Sequence, residues 1–231
     1  MCRWAFIEKE LEGLAVVVEN DVNVAAWGEF SVGACKGVKD MLAVWVGTGI
    51  GGGLVLNGEL FRGHHLTAGE IGHTVIHADA ALGRRTLENS ASRTAVVNQL
   101  VQLISANHAS KITQIVGGDF TAIRSRVIAK ALEMDDPLTR TVLEQAARYV
   151  GVAIANTVTM LSLPCVVVGG GVTDSLGRVW VEWVRQAFEE HVFPQELRKC
   201  RIVASRLGDD AGIVGAAFLA RNRLWKTRLK R

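Results

Sequence analysis

The chain contains 231 residues, 49% of them hydrophobic and 21% charged, and its formal net charge is +3. This composition is typical of a globular protein with enough apolar residues to bury a sizeable core. The net charge is too small to indicate a nucleic-acid-binding protein, so we expect no nucleic-acid partner.

Cysteine spacing and hydrophobic run lengths bear on the location of the protein. The four cysteines are far apart and form no Cys-x-x-Cys pair. They predict free thiols rather than a disulfide framework. No apolar run reaches the roughly 18 residues that a membrane span needs, and the first residues carry charges where a signal peptide is apolar. We therefore expect a cytoplasmic protein with no membrane partner.

The first predicted elements are a buried strand over Leu14–Val18 and a helix from about Val22 to Val32. Asn20 or Asp21 would lie near the N-cap of that helix, where backbone N–H groups and the helix dipole stabilise a carboxylate. Helix capping alone explains an acid at this position. The functional hypothesis is an ionised Asp21 at the carboxyl end of a strand, where α/β proteins often place their chemistry.

A glycine-rich stretch over Gly47–Gly53 separates predicted strands at Met41–Val46 and Leu54–Leu60, and the second strand turns at Asn57-Gly58. Its Gly-x-Gly-x-x-Gly spacing matches the dinucleotide fingerprint, but a strand follows where that fingerprint requires a helix. No Gly-Lys-Ser/Thr of a Walker loop follows either. The stretch predicts a strand-to-strand turn whose N–H groups and Thr48 hydroxyl hold phosphate oxygens, with a plain tight hairpin as the alternative.

Three side chains after the glycines predict a sugar site. Glu70 and His73 lie among small residues at a spacing that lets both point into one pocket. Carboxylate and imidazole groups bind sugar hydroxyls because they accept or donate hydrogen bonds in fixed directions. Glu88, near the start of a helix predicted over Thr86–Asn107, either faces the same pocket or merely complements the helix dipole. No cysteine accompanies the nearby histidines, so the stretch does not indicate a metal site.

The second half of the chain predicts further helices and two buried strands. Asp136 caps a long helix whose first turn contains Pro137. A glycine triplet ends the first strand at Gly169-Gly170-Gly171, where a ligand can lie against bare backbone. The predicted helices cover Asp119–Met134, Pro137 to about Leu163, about Ser175–His191 and a last helix capped by Asp209-Asp210, and the predicted strands cover Cys165–Val168 and Ile202–Ser205.

Together these residues resemble the ROK family, named for repressors, open reading frames and sugar kinases. The resemblance covers nearly the whole chain, and its most specific part runs from Val46 to His73. Four shorter segments also resemble the family's catalytic, sugar-binding, adenosine and C-terminal segments: Glu19–Ala26, Leu87–Ser92, Val167–Gly171 and Gly208–Ala217.

The resemblance implies an α/β fold of the actin-like, ribonuclease-H-like ATPase type and ATP-dependent phosphorylation of a hexose or N-acetylhexosamine, with ATP and Mg²⁺ as cofactors. It implies a C-terminal lobe over residues 33–231, with residues 1–32 as a remnant of the N-terminal lobe. Asp21 would be the catalytic base. The implied sugar-binding residues are Asn20, Glu70, His73 and Glu88, and the implied phosphate- and nucleoside-binding residues are Gly47, Thr48, Gly49, Gly170 and Gly171.

Two departures from the family pattern qualify this expectation. Family members carry an Asp-x-Gly-Gly-Thr loop that holds phosphate and magnesium, and no such loop precedes Asp21, so we expect that roughly 90–100 residues of the N-terminal lobe are absent. The family's three zinc-binding cysteines fall on Asp79, Ala81 and Thr86, so we expect no zinc, a substitute site at His77 and Asp79 being a remote alternative.

Two other functions remain open from the sequence. One is a sugar-responsive transcriptional regulator of the same family, and the other is a non-catalytic sugar-binding remnant. A homodimer is also expected, because Trp180, Trp183 and Phe188 on one predicted helix would leave an apolar face.

Overall fold

The computed structural model describes residue 10 and residues 16–228, with side chains described as far as residue 222. Part of the strand predicted over Leu14–Val18 lies outside the described residues. Residues 16–18, which are described, do not belong to a strand.

A five-stranded mixed sheet organises the described chain. Its strands are β1 (Met41–Val46), β2 (Ile50–Leu56), β3 (Glu59–Phe61), β4 (Cys165–Gly169) and β5 (Arg201–Ala204). They lie in the order β3-β2-β1-β4-β5, and β1, β2 and β3 are antiparallel neighbours while β1, β4 and β5 are parallel. The α/β prediction and the hairpin at Asn57-Gly58 are confirmed.

Helices cover both faces of the sheet. They are α1 (Asp21–Ser31), α2 (Leu87–Ala91), α3 (Arg93–Ser105), α4 (Ile112–Ile115), α5 (Ser125–Glu133), α6 (Pro137–Leu161), α7 (Gly171–Leu176), α8 (Arg178–His191) and α9 (Ala211–Arg228). Short 3₁₀ turns lie at Ile71–His73, Phe120–Ala122, Gln195–Lys199 and Gly208–Asp210.

Alternate residues of β1 enter two different hydrophobic clusters, as the two-residue period of a strand requires. Val44 and its alternate neighbours pack with the long helix α6 and with α8. Ala43 packs on the opposite face with Trp27 of α1 and Leu219 of α9. The sheet is therefore buried on both faces.

Three predicted helices are interrupted or begin elsewhere. The helix predicted over Thr86–Asn107 is two helices, because Ser92 is extended and its Oγ accepts from Ala95 N to begin α3. The segment predicted as Asp119–Met134 is a short turn followed by α5. The helix predicted from Ser175 begins at Gly171 and breaks at Gly177, whose φ is +60°. At Ser92 and at Gly177, a capping residue ends one helix although the apolar pattern of the sequence continues into the next.

Two predictions about side chains are corrected by the packing. Cys35 and Cys165 form a disulfide that joins the loop after α1 to the start of β4, so these two thiols are not free. Cys200 is a free, buried thiol, and burial raises its pKa to about 12. Trp180 and Phe188 are fully buried in the core and Trp183 is half-buried against it, so the three do not form the exposed apolar face that was predicted. The homodimer stays a prediction without that support.

The described part of the chain contains no helix long and apolar enough to cross a membrane.

Asp136, the predicted cap of α6, is 1% exposed and anchors the start of that helix. Its Oδ1 accepts from Lys111 N at 2.9 Å, and its Oδ2 accepts from Ser110 Oγ at 2.9 Å and Thr139 N at 3.0 Å. Burial raises the pKa of Asp136, but hydrogen bonds from Thr139, Lys111 and Ser110 outweigh it and hold the pKa below its usual value.

We expect Asp136→Asn to lower the free energy of unfolding by about 2 kcal/mol at pH 7, because an amide N–H₂ would replace a carboxylate oxygen that only accepts. Because the pKa of Asp136 is lower in the folded state than in the unfolded state, its ionisation stabilises the fold at pH values above the unfolded-state pKa. This stabilisation is lost as the pH falls through the folded-state pKa. The difference between variant and wild type should therefore shrink below about pH 4. Urea unfolding at several pH values measures it.

Asp135→Asn is the matched control for this experiment, since the Asp135 side chain is 90% exposed. It should change the free energy of unfolding by less than about 0.5 kcal/mol. Equal effects of the two variants at pH 7 would contradict the assigned role of Asp136.

Candidate functional site

A cleft of about 580 Å³ opens where β1 and β4 end. Its walls are the start of α1, the β1–β2 turn, the turn at Ile71–His73, helix α2, and the segments that follow β4 and β5. All ten residues predicted for the site line this one cleft: Asn20, Asp21, Gly47, Thr48, Gly49, Glu70, His73, Glu88, Gly170 and Gly171. Their roles are inferred from this placement below.

The start of α1 presents the Asp21 carboxylate to the cleft. Asn20 is the N-cap, and its Oδ1 accepts from Val22 N at 2.9 Å and from Asn23 N at 3.1 Å. Asp21 is the first helical residue and is exposed, with Oδ1 2.9 Å from Val22 N. Because Asn20 already caps the helix, capping alone does not account for an acid at position 21.

Glu19, which the sequence analysis did not single out, anchors this segment. Its Oε2 pairs with Arg62 Nη2 at 2.6 Å, and its Oε1 accepts from Asn23 Nδ2 at 3.0 Å. Burial raises the pKa of Glu19, but hydrogen bonds from Arg62, Asn23 and the Asn20 N–H outweigh it and hold the pKa below its usual value. The ion pair ties the loop after β3 to the residues that precede Asp21.

Glycines within β2 let two sides of the cleft approach each other. A Cβ on Gly51 would meet Val22 Cγ2 at 2.6 Å, and one on Gly53 would meet Ala26 Cβ at 2.8 Å, so α1 packs directly on the strand. A Cβ on Gly52 would overlap the carbonyl of Gly69 on the opposite face. The prediction that this whole stretch is a turn is therefore corrected, because residues 51–53 lie in the strand and make room for its neighbours.

Glu70 and His73 face the cleft from the segment that follows β3. Glu70 immediately precedes the 3₁₀ turn Ile71–His73, and His73 ends it. Glu70 Oε2 lies 3.9 Å from His73 Nε2, and both side chains are more than half exposed, at 53% and 67%. An acid and an imidazole that are this close and this accessible can donate to and accept from neighbouring hydroxyl groups of one ligand.

Glu88 reaches the cleft from α2 and also contacts the Gly47–Gly49 turn. Its Oε2 accepts from Ile50 N at 2.8 Å. A Cβ at Gly49 would overlap the same oxygen, so only glycine lets the carboxylate lie against the turn. Dipole complementarity alone does not account for this contact. Glu88 therefore links the predicted sugar site to the Gly47–Gly49 turn.

The cleft is also lined by Trp45, Asp174 and Asp209, which the sequence analysis did not assign to the site, since Asp209 was predicted only as a helix cap. Burial raises the pKa of Asp174, and the nearby charge of Asp209 raises it further. Asp174 lies one helical turn after Gly171, and this spacing could have identified it. Gly170 has φ +87°, and a Cβ there would meet Val46 O at 2.7 Å, so the turn after β4 lies against the end of β1.

The residues do not fit a zinc site of the family's kind. The three positions expected to supply thiolates are Asp79, Ala81 and Thr86. Across residues 10 and 16–228, no three His, Cys, Asp or Glu side chains are placed to hold a metal ion. The loop instead forms an antiparallel bridge between Val75 and Thr86, and Arg85 Nε donates to Ala80 O at 2.6 Å.

Comparisons with known proteins found similarity to a family model, to curated proteins and to solved structures. The model of the ROK family matches residues 6–223. A glucokinase of Halalkalibacterium halodurans is 33% identical over 220 residues, which are 93% of this chain and 66% of that protein. The structure of a ROK family glucokinase from Streptomyces griseus in complex with glucose and AMPPNP matches with a TM-score of 0.82 at 34% identity, covering 94% of this chain and 71% of that one.

A transcriptional regulator also shares the fold. This ROK family protein, a homologue of the E. coli MLC protein, matches with a TM-score of 0.81 at 28% identity, covering 91% of this chain and 52% of that one. The chain thus spans about two thirds of the length of the curated glucokinase and about half of the regulator. Its fold is the actin-like ATPase fold of these relatives, as predicted, and with the family model matched over residues 6–223 the chain belongs to the ROK family.

Proposed function

We propose that this chain forms the sugar- and nucleotide-binding part of an ATP-dependent hexose kinase, in which residues 33–231 are the C-terminal lobe and residues 1–32 belong to the N-terminal lobe. The observation that carries the proposal is the convergence of Asp21, the Glu70–His73 pair and the Gly47–Gly49 turn on one cleft. The two glucokinase relatives support glucose as the sugar to test first.

Residues on different walls of the cleft have different roles in phosphoryl transfer. Glu70, His73 and Asn20 bind the hydroxyls of the hexose, and Glu88 acts both on the sugar and on the turn. Asp21 accepts the proton of the attacking hydroxyl as that oxygen bonds to the γ-phosphorus of ATP. The bond from this phosphorus to the bridging oxygen breaks, and ADP leaves. A positioned general base contributes about 10²–10⁴-fold to a rate, and the remaining acceleration comes from positioning and charge stabilisation.

We also propose that the cleft holds a nucleotide. A Cβ on Gly212 would meet no atom within 4 Å, and one on Gly47 would approach only Gly49 O, at 4.0 Å, so these glycines present bare backbone to a ligand. ATP is proposed to place its phosphates at the Gly47–Gly49 turn and its nucleoside against Gly170 and Gly171. Mg²⁺ would neutralise phosphate charge, and the carboxylates of Asp174 and Asp209 are oxygen ligands of the type it prefers.

Calorimetric titration with glucose tests the sugar site. We expect wild type to bind glucose, and Glu70→Gln to bind it about tenfold or more weakly, because hydrogen bonds to a charged group contribute about 1.5–3 kcal/mol. Glu133→Gln, an exposed substitution on α5, is the control and should bind as wild type does. Absence of hexose binding, or equal affinity of the Glu70→Gln variant and the wild-type protein, would defeat the proposal.

A sugar-responsive regulator is the second candidate, favoured by the structural likeness to the ROK family regulator. The two functions differ in what sugar binding produces. A kinase releases ADP from ATP and glucose, and a regulator changes its affinity for DNA. A gel-shift experiment with the product of the complete gene at moderate salt, run beside an ADP-release assay, separates them. Sugar binding with neither outcome would favour a non-catalytic sugar-binding protein.

A further inference from the structure

The first residues of α3 donate three hydrogen bonds to the Gly47–Gly49 turn. The backbone N–H of Arg93 donates to Gly47 O at 2.8 Å, and the Thr94 hydroxyl donates to Thr48 O at 2.7 Å. The third contact is between side chains, since Arg93 Nη2 donates to Thr48 Oγ1 at 2.6 Å. Helix α2 ends and α3 begins at Ser92, and this break directs the first residues of α3 towards the turn.

The side-chain contact determines what the Thr48 hydroxyl can do. A guanidinium has only donors, so in its bond with Arg93 the Thr48 oxygen must accept. The hydroxyl hydrogen is then free to donate elsewhere, and within residues 16–222 no acceptor for it is found. Thr48 lines the cleft, whereas Arg93 does not, so the available donor is on the side of the ligand.

The second consequence of the contact between Arg93 and Thr48 is electrostatic, because the cleft is lined by carboxylates. Asp21, Glu70, Glu88, Asp174 and Asp209 line the cleft, and no Lys or Arg is among the described lining residues. A phosphate chain would meet a strongly acidic surface there. Within the described part of the chain, no carboxylate lies at ion-pair distance from Arg93. The guanidinium is hydrogen-bonded to the Thr48 hydroxyl, which separates its positive charge from the cleft.

We propose that Arg93 is a positioning residue for the transferring phosphate group: it orients the Thr48 hydroxyl to donate to a phosphate oxygen and places an unneutralised positive charge behind that bond. This inference rests on the proposed kinase function. The ligand chemistry is a terminal phosphate group, carried by a nucleoside triphosphate or by inorganic tripolyphosphate. Hydrogen bonds from charged donors and electrostatic preorganisation are strong in such sites.

Arg93→Met is the first variant to test. It removes the charge and the donor but keeps an unbranched side chain, and the backbone contact to Gly47 is retained. We expect affinity for ATP and for tripolyphosphate, measured by calorimetry, to fall about tenfold, since the Thr48 hydroxyl loses its orientation and the phosphate loses the positive charge behind it. Affinity for adenosine and for glucose should stay within about twofold. Arg93→Lys, which keeps the charge but not the planar fork, should restore part of the loss.

Arg178→Met is the matched control, because Arg178 is also the first residue of a helix that follows a break and is exposed. It should bind all four ligands as wild type does. A double substitution tests whether Arg93 acts through Thr48. If it does, Arg93→Met should weaken ATP binding little further in a protein that already carries Thr48→Val, because the two changes remove the same interaction.

Each outcome of the series is informative. A selective loss for the two phosphate ligands supports the inference. Equal affinities of the Arg93→Met and Arg178→Met proteins for ATP overturn it, and so does a parallel loss for ATP, adenosine and glucose, which would indicate a purely structural effect. Wild-type protein that binds glucose but neither phosphate ligand also overturns it. Wild-type protein that binds neither glucose nor ATP overturns the proposed function as well.

Discussion

Asp21→Asn is expected to lower the turnover of glucose by about 10²–10⁴-fold, because an amide cannot accept the proton of the attacking hydroxyl. The substitution preserves the shape of the side chain. Asn20 retains the N-cap, with its Oδ1 2.9 Å from Val22 N, so the start of α1 should not move. Affinity for glucose should therefore stay within about threefold of wild type, and the effect should be on kcat.

The assay is ADP release by protein expressed from the complete reading frame that encodes this chain, with glucose, ATP and Mg²⁺. Asp135→Asn is the control, because this exposed aspartate lies outside the cleft and should not alter turnover. Turnover by the Asp21→Asn protein at the wild-type rate would show that another group accepts the proton. A parallel loss of glucose affinity would instead assign Asp21 to sugar binding.

Glu29→Gln is expected to lower the free energy of unfolding by about 3 kcal/mol or more, which corresponds to a fall in Tm of about 6–12 °C. Glu29 lies inside α1 and is 0% exposed. Its Oε2 accepts from Ala34 N at 2.6 Å, and its Oε1 accepts from Ser205 Oγ at 2.6 Å and Leu207 N at 2.8 Å. Arg206 N also donates to Oε1, at 2.9 Å.

The physical reason for this loss is a mismatch of donors. Every described group that faces the Glu29 oxygens is an N–H or O–H. The amide NH₂ of Gln would place a donor against either Ala34 N or the loop at 205–207, so buried donors would be left without acceptors. Thermal and urea unfolding measure the effect. Glu133→Gln, exposed on α5, is the control and should change stability by less than about 0.5 kcal/mol.

The same substitution should disturb the nucleotide side of the cleft. Ser205 Oγ, which donates to Glu29, also accepts from Gly208 N at 3.0 Å, and Gly208 and Asp209 line the cleft. ATP affinity should fall, whereas glucose affinity should be spared, because the residues proposed to bind sugar lie outside the loop at 205–209. A loss of stability below about 1 kcal/mol would contradict the role assigned to Glu29.

The sequence by itself identified ten of the residues that line the cleft. Gly47–Gly49 and Gly170–Gly171 both follow predicted strands, and the carboxyl ends of neighbouring parallel strands lie at one edge of a sheet. Local rules were equally sufficient for the two-residue turn at Asn57-Gly58 and for the cap at Asp136, because turn and cap preferences depend on a few adjacent residues. These features need no knowledge of distant contacts.

Only the tertiary structure decided the partners of those residues. Glu29 and Ser205 are 176 positions apart, Arg93 and Thr48 are 45 apart, and the disulfide joins cysteines 130 apart. No local pattern encodes such pairings, since each depends on how helices pack on the sheet. The glycines of β2 show the reason most directly. Their sequence predicts a turn between two strands, but they lie within β2, where they let α1 and the Glu70–His73 segment pack on the same strand from its two faces.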